Sequence, residues 1–279
     1  MSLKKPAIPS LRPFSGWLLI GLMVVSGGLG LGWRSALAWQ EKIRRPEDVV
    51  ERAMLSYGGR GAIYVVQRNG IYRANIKLFT PNGVQEGKTV TKFIRKPKLA
   101  EDLLLIELEL PDLKYTIGFD GKEVWSTQNA EPHPPSEQEI KAFRGAHEHH
   151  YEALLRYKES ESKLEYVGSN KIGTLDLDLI SLTSPQGVKT LYEISRRTGH
   201  VIYVNYEEQV AENSPPVKYR LYFKDFRVIQ NSVIPYEMQV FQNGKLIEER
   251  KIVEAAFNVQ LEEKAFKLES PAKASEAKF

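Results

Sequence analysis

The stretch that most constrains this fold is Val217–Phe266, near the C-terminus. Val217, Tyr219, Leu221 and Phe223 are apolar, and the intervening Lys218 and Arg220 are charged. A period of two gives a strand one buried face and one wet face. Gln230-Asn231 interrupts the run, and Ile234-Pro235 opens a second strand that continues through Tyr236–Gln242. Asn243-Gly244 follows. Both residues tolerate the positive φ of a type I′ turn, which makes this pair the strongest short hairpin signal a sequence offers. A third strand is expected from Lys245 to Asn258. Tight turns join antiparallel neighbours, so the rest of the chain is expected to extend the same sheet.

Upstream segments fit that expectation. Ile71–Thr80 and Val84–Arg95 read as strands around Pro81-Asn82-Gly83. In Leu103–Leu110, Leu104, Ile106 and Leu108 share one face. Leu103 and Leu105 are apolar on the other, so something beyond the core is expected to cover that side. Asp120-Gly121 turns Tyr115–Phe119 into Glu123–Trp125. Further strands are read from Leu164 onward, in Gly173–Thr183, Val188–Ser195 and His200–Tyr206, before the loop Glu212–Pro216. In Gly173–Thr183 leucines alternate with Asp176 and Asp178, which places that carboxylate pair on a wetted face.

Two segments break the β pattern. Pro46 suits the first turn of a helix, Glu47 and Asp48 suit its positive end, and Gly58-Gly59 ends it. This predicts a helix over Pro46–Tyr57. Ser136 and Glu139 make a capping box, which predicts a second helix over Ser136–Lys158 with Phe143, Tyr151 and Leu154 on its apolar side. The expected fold is therefore mainly β: a curved antiparallel half-barrel of about ten strands, with both helices against the concave face.

Residues 1–38 read as a leader. Trp17–Trp33 is an uncharged apolar run preceded by Lys4, Lys5 and Arg12, and Ala36-Leu37-Ala38 is a small-x-small cleavage site. A retained membrane anchor is the alternative, since the run is nearly long enough to span a bilayer. Either way the mature domain, 39–270, is expected to lie in the periplasm, free or anchored to the inner membrane. The tail 271–279 is expected to be disordered. Lys and Arg number 39 against 35 Asp and Glu, and the leader holds four of the bases and no acid. The excess charge thus belongs to the leader. The domain has no surplus base for nucleic-acid binding.

Little in the chain points to catalysis. Cysteine is absent, which removes thiolate chemistry and cysteine metal sites. His147-Glu148-His149-His150 is the one histidine cluster, but the HExxH zinc pattern would need a histidine at 151 and Tyr151 stands there. It reads as an exposed polar patch, with a metal-dependent enzyme as the remote alternative. Asp176/Asp178 and Glu107/Glu109 are same-face carboxylate pairs, explained by a wet sheet face. No catalytic residue, metal or cofactor is assigned.

The C-terminal meander resembles the end of the outer-membrane lipoprotein-sorting (LolA/LolB-like) superfamily. The matching positions are Phe223–Phe226, Ile234-Pro235, Asn243-Gly244 and Phe257–Phe266. Asp120, Gly121 and Trp125 likewise resemble the D-G-x-x-x-W hairpin of that superfamily. The likeness covers Pro46 to Phe266 in outline. A strongly curved sheet either packs its concave face on helices or encloses an apolar ligand. The resemblance implies the second option, with acyl chains sheltered under a helical lid. The residues expected to line the cavity are Leu104, Ile106, Leu108, Tyr115, Trp125, Phe143, Leu154, Tyr219, Leu221, Phe223, Met238 and Val240. The implied function is non-catalytic carriage or binding of a lipid or the acyl chain of a lipoprotein by a monomer. An inner-membrane exporter or outer-membrane acceptor would be its partners. An anchored sensor of envelope stress is the alternative. No lipobox cysteine is present, so the chain is not itself lipidated as LolB-type proteins are.

Overall fold

A computed structural model describes residues 44–209 and 215–268. The leader, its cleavage site, most of the loop at Glu212–Pro216 and the tail lie outside them. The described strands form one antiparallel sheet in near-sequential order. From one edge run β6 (Glu131–Pro132), β5 (Val124–Gln128), β4 (Leu113–Phe119), β3 (Leu103–Leu110), β2 (Gly83–Ile94) and β1 (Asn69–Thr80). Then follow β13 (Lys245–Phe257), β12 (Ser232–Gln242), β11 (Val217–Ile229), β10 (Val201–Glu208), β9 (Lys189–Ser195), β8 (Leu175–Thr183) and β7 (Lys163–Ile172). The sheet is an open half-barrel of 13 strands, more than the ten expected, with β6 and β7 at its two edges. The single out-of-sequence junction, β1 against β13, brings the C-terminal meander back beside the first strand.

Curvature comes from bulges. Register shifts occur at Arg73/Ala74, Val240/Phe241, Tyr166/Gly168 and Val201/Tyr203. An extra residue on one strand bends it and strengthens its twist.

The helices sit on the concave side. α1 (Pro46–Ser56) buries Val49, Val50, Ala53 and Met54. Gly58, at φ 102, turns the chain into a short α2 (Gly59–Tyr64), a helix the sequence pattern missed. A Cβ on residue 58 would lie 2.3 Å from the Asn231 carbonyl oxygen, so only glycine fits. The central segment is two helices rather than one. α3 (Glu137–Glu148) starts on the Ser136–Glu139 capping box, and α4 (Tyr151–Leu155) follows a break at His149-His150. Among the described residues no helix is long and apolar enough to cross a membrane.

The main core packs α1 and α4 onto β8–β12. Tyr57, Tyr151, Leu154, Ile180, Tyr192, Ile194, Val204 and Phe223 meet there. Behind the sheet, Leu103 and Leu105 are covered by Phe266 and Trp125. The Glu263–Phe266 turn is thus the cover that the two-sided apolar strand called for. Gly118 makes room for it: a Cβ there would fall 2.9 Å from the Trp125 ring.

Asp178 overturns the wet-face reading of its strand. It is fully buried and accepts from Arg44 (3.0 Å), Arg52 (2.7 Å) and Arg196 (2.8 Å). The two arginines before and within α1 thereby tie that helix to β8. Burial would raise the Asp178 pKa, but the bonds from Arg52 and Arg196 and the charge of Arg44 hold it low.

Candidate functional site

The concave face is filled only in part. Between α3 and the strands β1–β3 and β10–β13 lies a cavity of about 410 Å³. Of the twelve residues expected to line it, eight do: Leu104, Ile106, Phe143, Tyr219, Leu221, Phe223, Met238 and Val240. Their placement follows from register. Leu221 pairs with Val240 and Phe223 with Met238, so these side chains stand in rows on one face. Phe93 pairs with Leu104 and continues the apolar wall on the far side.

The other four stand elsewhere. Leu154 is fully buried in the core under α1 and α4. Trp125 lies on the opposite sheet face, in one row with Gly118 and Leu105, and its Nε1 donates to the Phe266 carbonyl at 2.7 Å. Period-two alternation does not say which face of a short edge hairpin is concave. Tyr115 is paired with Leu108 at the α3 end of the sheet, where its hydroxyl donates to Glu139 at 2.9 Å. Both lie outside the cavity wall.

Sequence reasoning missed the polar part of the wall. Arg250 stands opposite Met238, and Glu248 opposite Val240, so both face inward from β13. Charge alone would put such residues on a wet face; the register with β12 places them inward. Arg250 contacts Glu248 at 2.7 Å. Arg95, which follows β2, reaches Glu152 of α4 at 2.6 Å and donates to the Ile63 carbonyl at 2.7 Å. Burial would raise the Glu152 pKa, but the Arg95 charge beside it holds the carboxyl down at about 2. Tyr72, Tyr151, Ile234 and Tyr236 complete this end.

α3 bridges the opening of the half-barrel. Phe143 and His147 line the main cavity on one side and a second cavity of about 320 Å³ on the other. The contacts that hold α3 down are largely polar. Lys141 donates to the Gln209 carbonyl, and His147 Nε2 lies 3.3 Å from both the Leu99 carbonyl and Asp102. Asp102 is in turn clamped by Arg156, whose Nη2 is 3.1 Å away. Burial would raise the Asp102 pKa, but the bonds from His147 and Arg156 lower it.

The histidine segment is not the exposed patch expected. His149 is buried, stacks on Tyr206 at 3.8 Å and meets Thr190 at 2.7 Å. His150 packs against Tyr151 and Phe223. Burial pushes both imidazoles down to about 4, so they are neutral at pH 7. Among the described residues no group of three or more His, Asp or Glu is arranged to hold a metal ion. A larger depression of about 1100 Å³ lies by the outer face of β9–β11. It is an open groove whose tyrosines, Tyr203 and Tyr222, stack on each other at 4.7 Å.

No protein-family model matches the chain, and no curated protein matches its sequence. Solved structures do match its fold. An outer membrane lipoprotein-sorting protein domain from Vibrio parahaemolyticus aligns over 80% of this chain and 97% of its own, at TM-score 0.55 and 11% identity. A DUF1329 family protein from Desulfovibrio piger gives the same coverage and TM-score at 13% identity. A LolA superfamily protein from Nitrosomonas europaea covers 80% of this chain and 98% of its own, at TM-score 0.54 and 10% identity. At these identities the likeness concerns the fold alone, and that fold is the one shared by lipoprotein-sorting, LolA-like proteins, as the C-terminal meander suggested.

Proposed function

We propose that this protein is a non-catalytic periplasmic carrier or binding protein for lipoproteins or other acylated ligands. The acyl chain is held in the concave cavity under α3. The observation that carries this reading is a cavity of about 410 Å³ whose wall is built mainly of aliphatic and aromatic side chains on the concave face. That volume falls in the range of roughly 300–1,000 Å³ typical of small-ligand sites. The polar contacts that hold α3 suit a lid, because a helix with little core of its own opens at low cost. The leader, if cleaved, delivers the domain to the compartment where such ligands travel.

The test is uptake of a fluorescent acyl probe. Wild type is expected to bind it, and Val240→Trp, which fills the cavity from its floor, is expected to abolish binding while the protein stays folded. Absence of probe binding by wild type would refute the carrier reading.

A further inference from the structure

The corner between α1 and α2 carries an exposed patch that the cavity does not use. The inner sides of both helices already fill the core: Val49, Val50, Ala53 and Met54 from α1, Ala62 and Ile63 from α2. Leu55, Tyr64 and Val65 are left outside, at 66%, 38% and 69% exposure. They lie on one surface. Glu51 and Leu55 are one turn apart on α1, and Arg60 reaches over from α2 to bond Glu51 at 2.7 Å. Arg60 and Tyr64 are one turn apart on α2, Val65 follows, and exposed Arg68 ends the next turn. By contrast, the exposed Val84, Val167, Val228 and Val253 stand on four different strands. Single apolar residues on a surface are ordinary, whereas a group of them rimmed by polar residues marks an interaction site.

The charge of the patch selects the partner. From Arg44 to Arg68 the chain holds five arginines and three carboxylates, whereas bases and acids balance over residues 39–279. Arg44 and Arg52 share the single carboxylate of Asp178, and Glu159, beside Tyr64, is held by Arg156 at 2.5 Å. Every cation in this stretch is an arginine, whose planar guanidinium matches phosphate in a way that a lysine ammonium does not. Aliphatic side chains and a tyrosine set among arginines suit the boundary between headgroups and acyl chains.

We propose that this corner, through Leu55, Arg60, Tyr64, Val65 and Arg68, seats the domain on the surface of a bilayer that contains anionic phospholipid. The three apolar side chains enter the headgroup boundary, and the arginines pair with phosphates. The contact needs no ligand in the concave cavity, so it stands apart from the carrier reading.

The chain has no cysteine, so a single introduced cysteine reports on one position in the full-length protein. Leu55→Cys and Val65→Cys carry an environment-sensitive NBD label, and Val84→Cys serves as the control. Val84 pairs with Phe79, ten residues up β1 from Asn69, which is about 33 Å along the strand from that end of the patch. The vesicles are phosphatidylcholine with or without phosphatidylglycerol. Labels at positions 55 and 65 are expected to brighten and shift to the blue with the anionic vesicles and not with phosphatidylcholine alone. The label at position 84 is expected to stay unchanged. Arg60→Gln and Arg68→Gln together, in the Val65→Cys protein, are expected to weaken the apparent affinity about tenfold. A retained leader would bring the chain to vesicles whichever position is labelled, so the difference between positions 65 and 84 is the readout. No shift at positions 55 and 65, or an equal shift at position 84, would overturn the proposal. An equal response to both kinds of vesicle would overturn the role of the arginines. A blue shift at position 65 that needs no vesicles and grows with protein concentration would assign the patch to a second copy of this chain instead.

Discussion

The two halves of the concave face are built from the same alternating strands and end up in opposite states. Over β8–β12, α1 and α4 press Val49, Ala53, Leu154 and Leu155 into the sheet, and the space is filled. Over β1–β3, β13 and the part of β10–β12 that faces them, α3 bridges, with Tyr151 and Glu152 of α4 at one end, and a cavity remains. The difference lies in what the covering helix brings. α4 contributes Tyr151, Ala153, Leu154 and Leu155 to the interior within five residues. α3 buries little besides Phe143 in twelve. Helices with bulky apolar side chains fill the space and become core; α3, whose apolar side is mostly alanine around Phe143, bridges over open space.

Truncation should separate the halves most sharply. Leu154→Ala removes a fully buried side chain from the packed half and should cost about 2–5 kcal/mol. Val240→Ala, on the cavity wall, should cost about 1 kcal/mol or less, because Val240 is only partly buried and borders the cavity. Denaturant melts of both variants measure this. Equal losses would mean the cavity wall is ordinary core.

Acid should act through the junction of the halves, where His149 and His150 join α3 to α4. Both have folded-state pKa values near 4 against 6.5 for an unburied histidine. Their folded values are depressed, so the unfolded chain takes up protons first. Stability is whole above pH 6.5 and falls as pH drops through 4. Glu152, held at about 2 against 4.5, adds its own loss only below that higher value. Melting temperature followed against pH should therefore begin to fall below 6.5. His149→Gln, which keeps a bond to Thr190, should make the slope shallower.

Legibility from sequence tracked the same division. The strands with clean alternation, such as Val217–Phe223, placed their inward residues correctly because period two fixes the face once register is set. The Ser136 cap marked the start of α3 at the right residue. The break at His149-His150 was invisible, since no proline or glycine stands there. Buried Asp178 was misjudged because its partners, Arg44, Arg52 and Arg196, come from distant parts of the chain. Arg250 and Glu248 were unreadable for a related reason. Each charge hides the other from the apolar wall, and only β13's pairing brings both inward.

The smallest effect probes the lid itself. Lys141→Ala removes the bond from α3 to the Gln209 carbonyl. An exposed contact of this kind is worth less than about 1 kcal/mol, so melting should hardly move. Amide exchange should nonetheless quicken along Glu137–Glu148 and not along Tyr151–Leu155. Faster exchange in both helices would mean that α3 and α4 open as one unit.

The central claim is that the hollow half holds an acyl ligand while the packed half does not. Native mass spectrometry of the full-length protein, purified from its own host without detergent, tests it most directly. Wild type is predicted to carry a lipid-mass adduct that collisional activation releases. Val240→Trp is predicted to lack that adduct, and Ile194→Val, a volume-sparing change in the packed half, to retain it. An adduct-free wild type, or an adduct carried equally by Val240→Trp, would contradict the account.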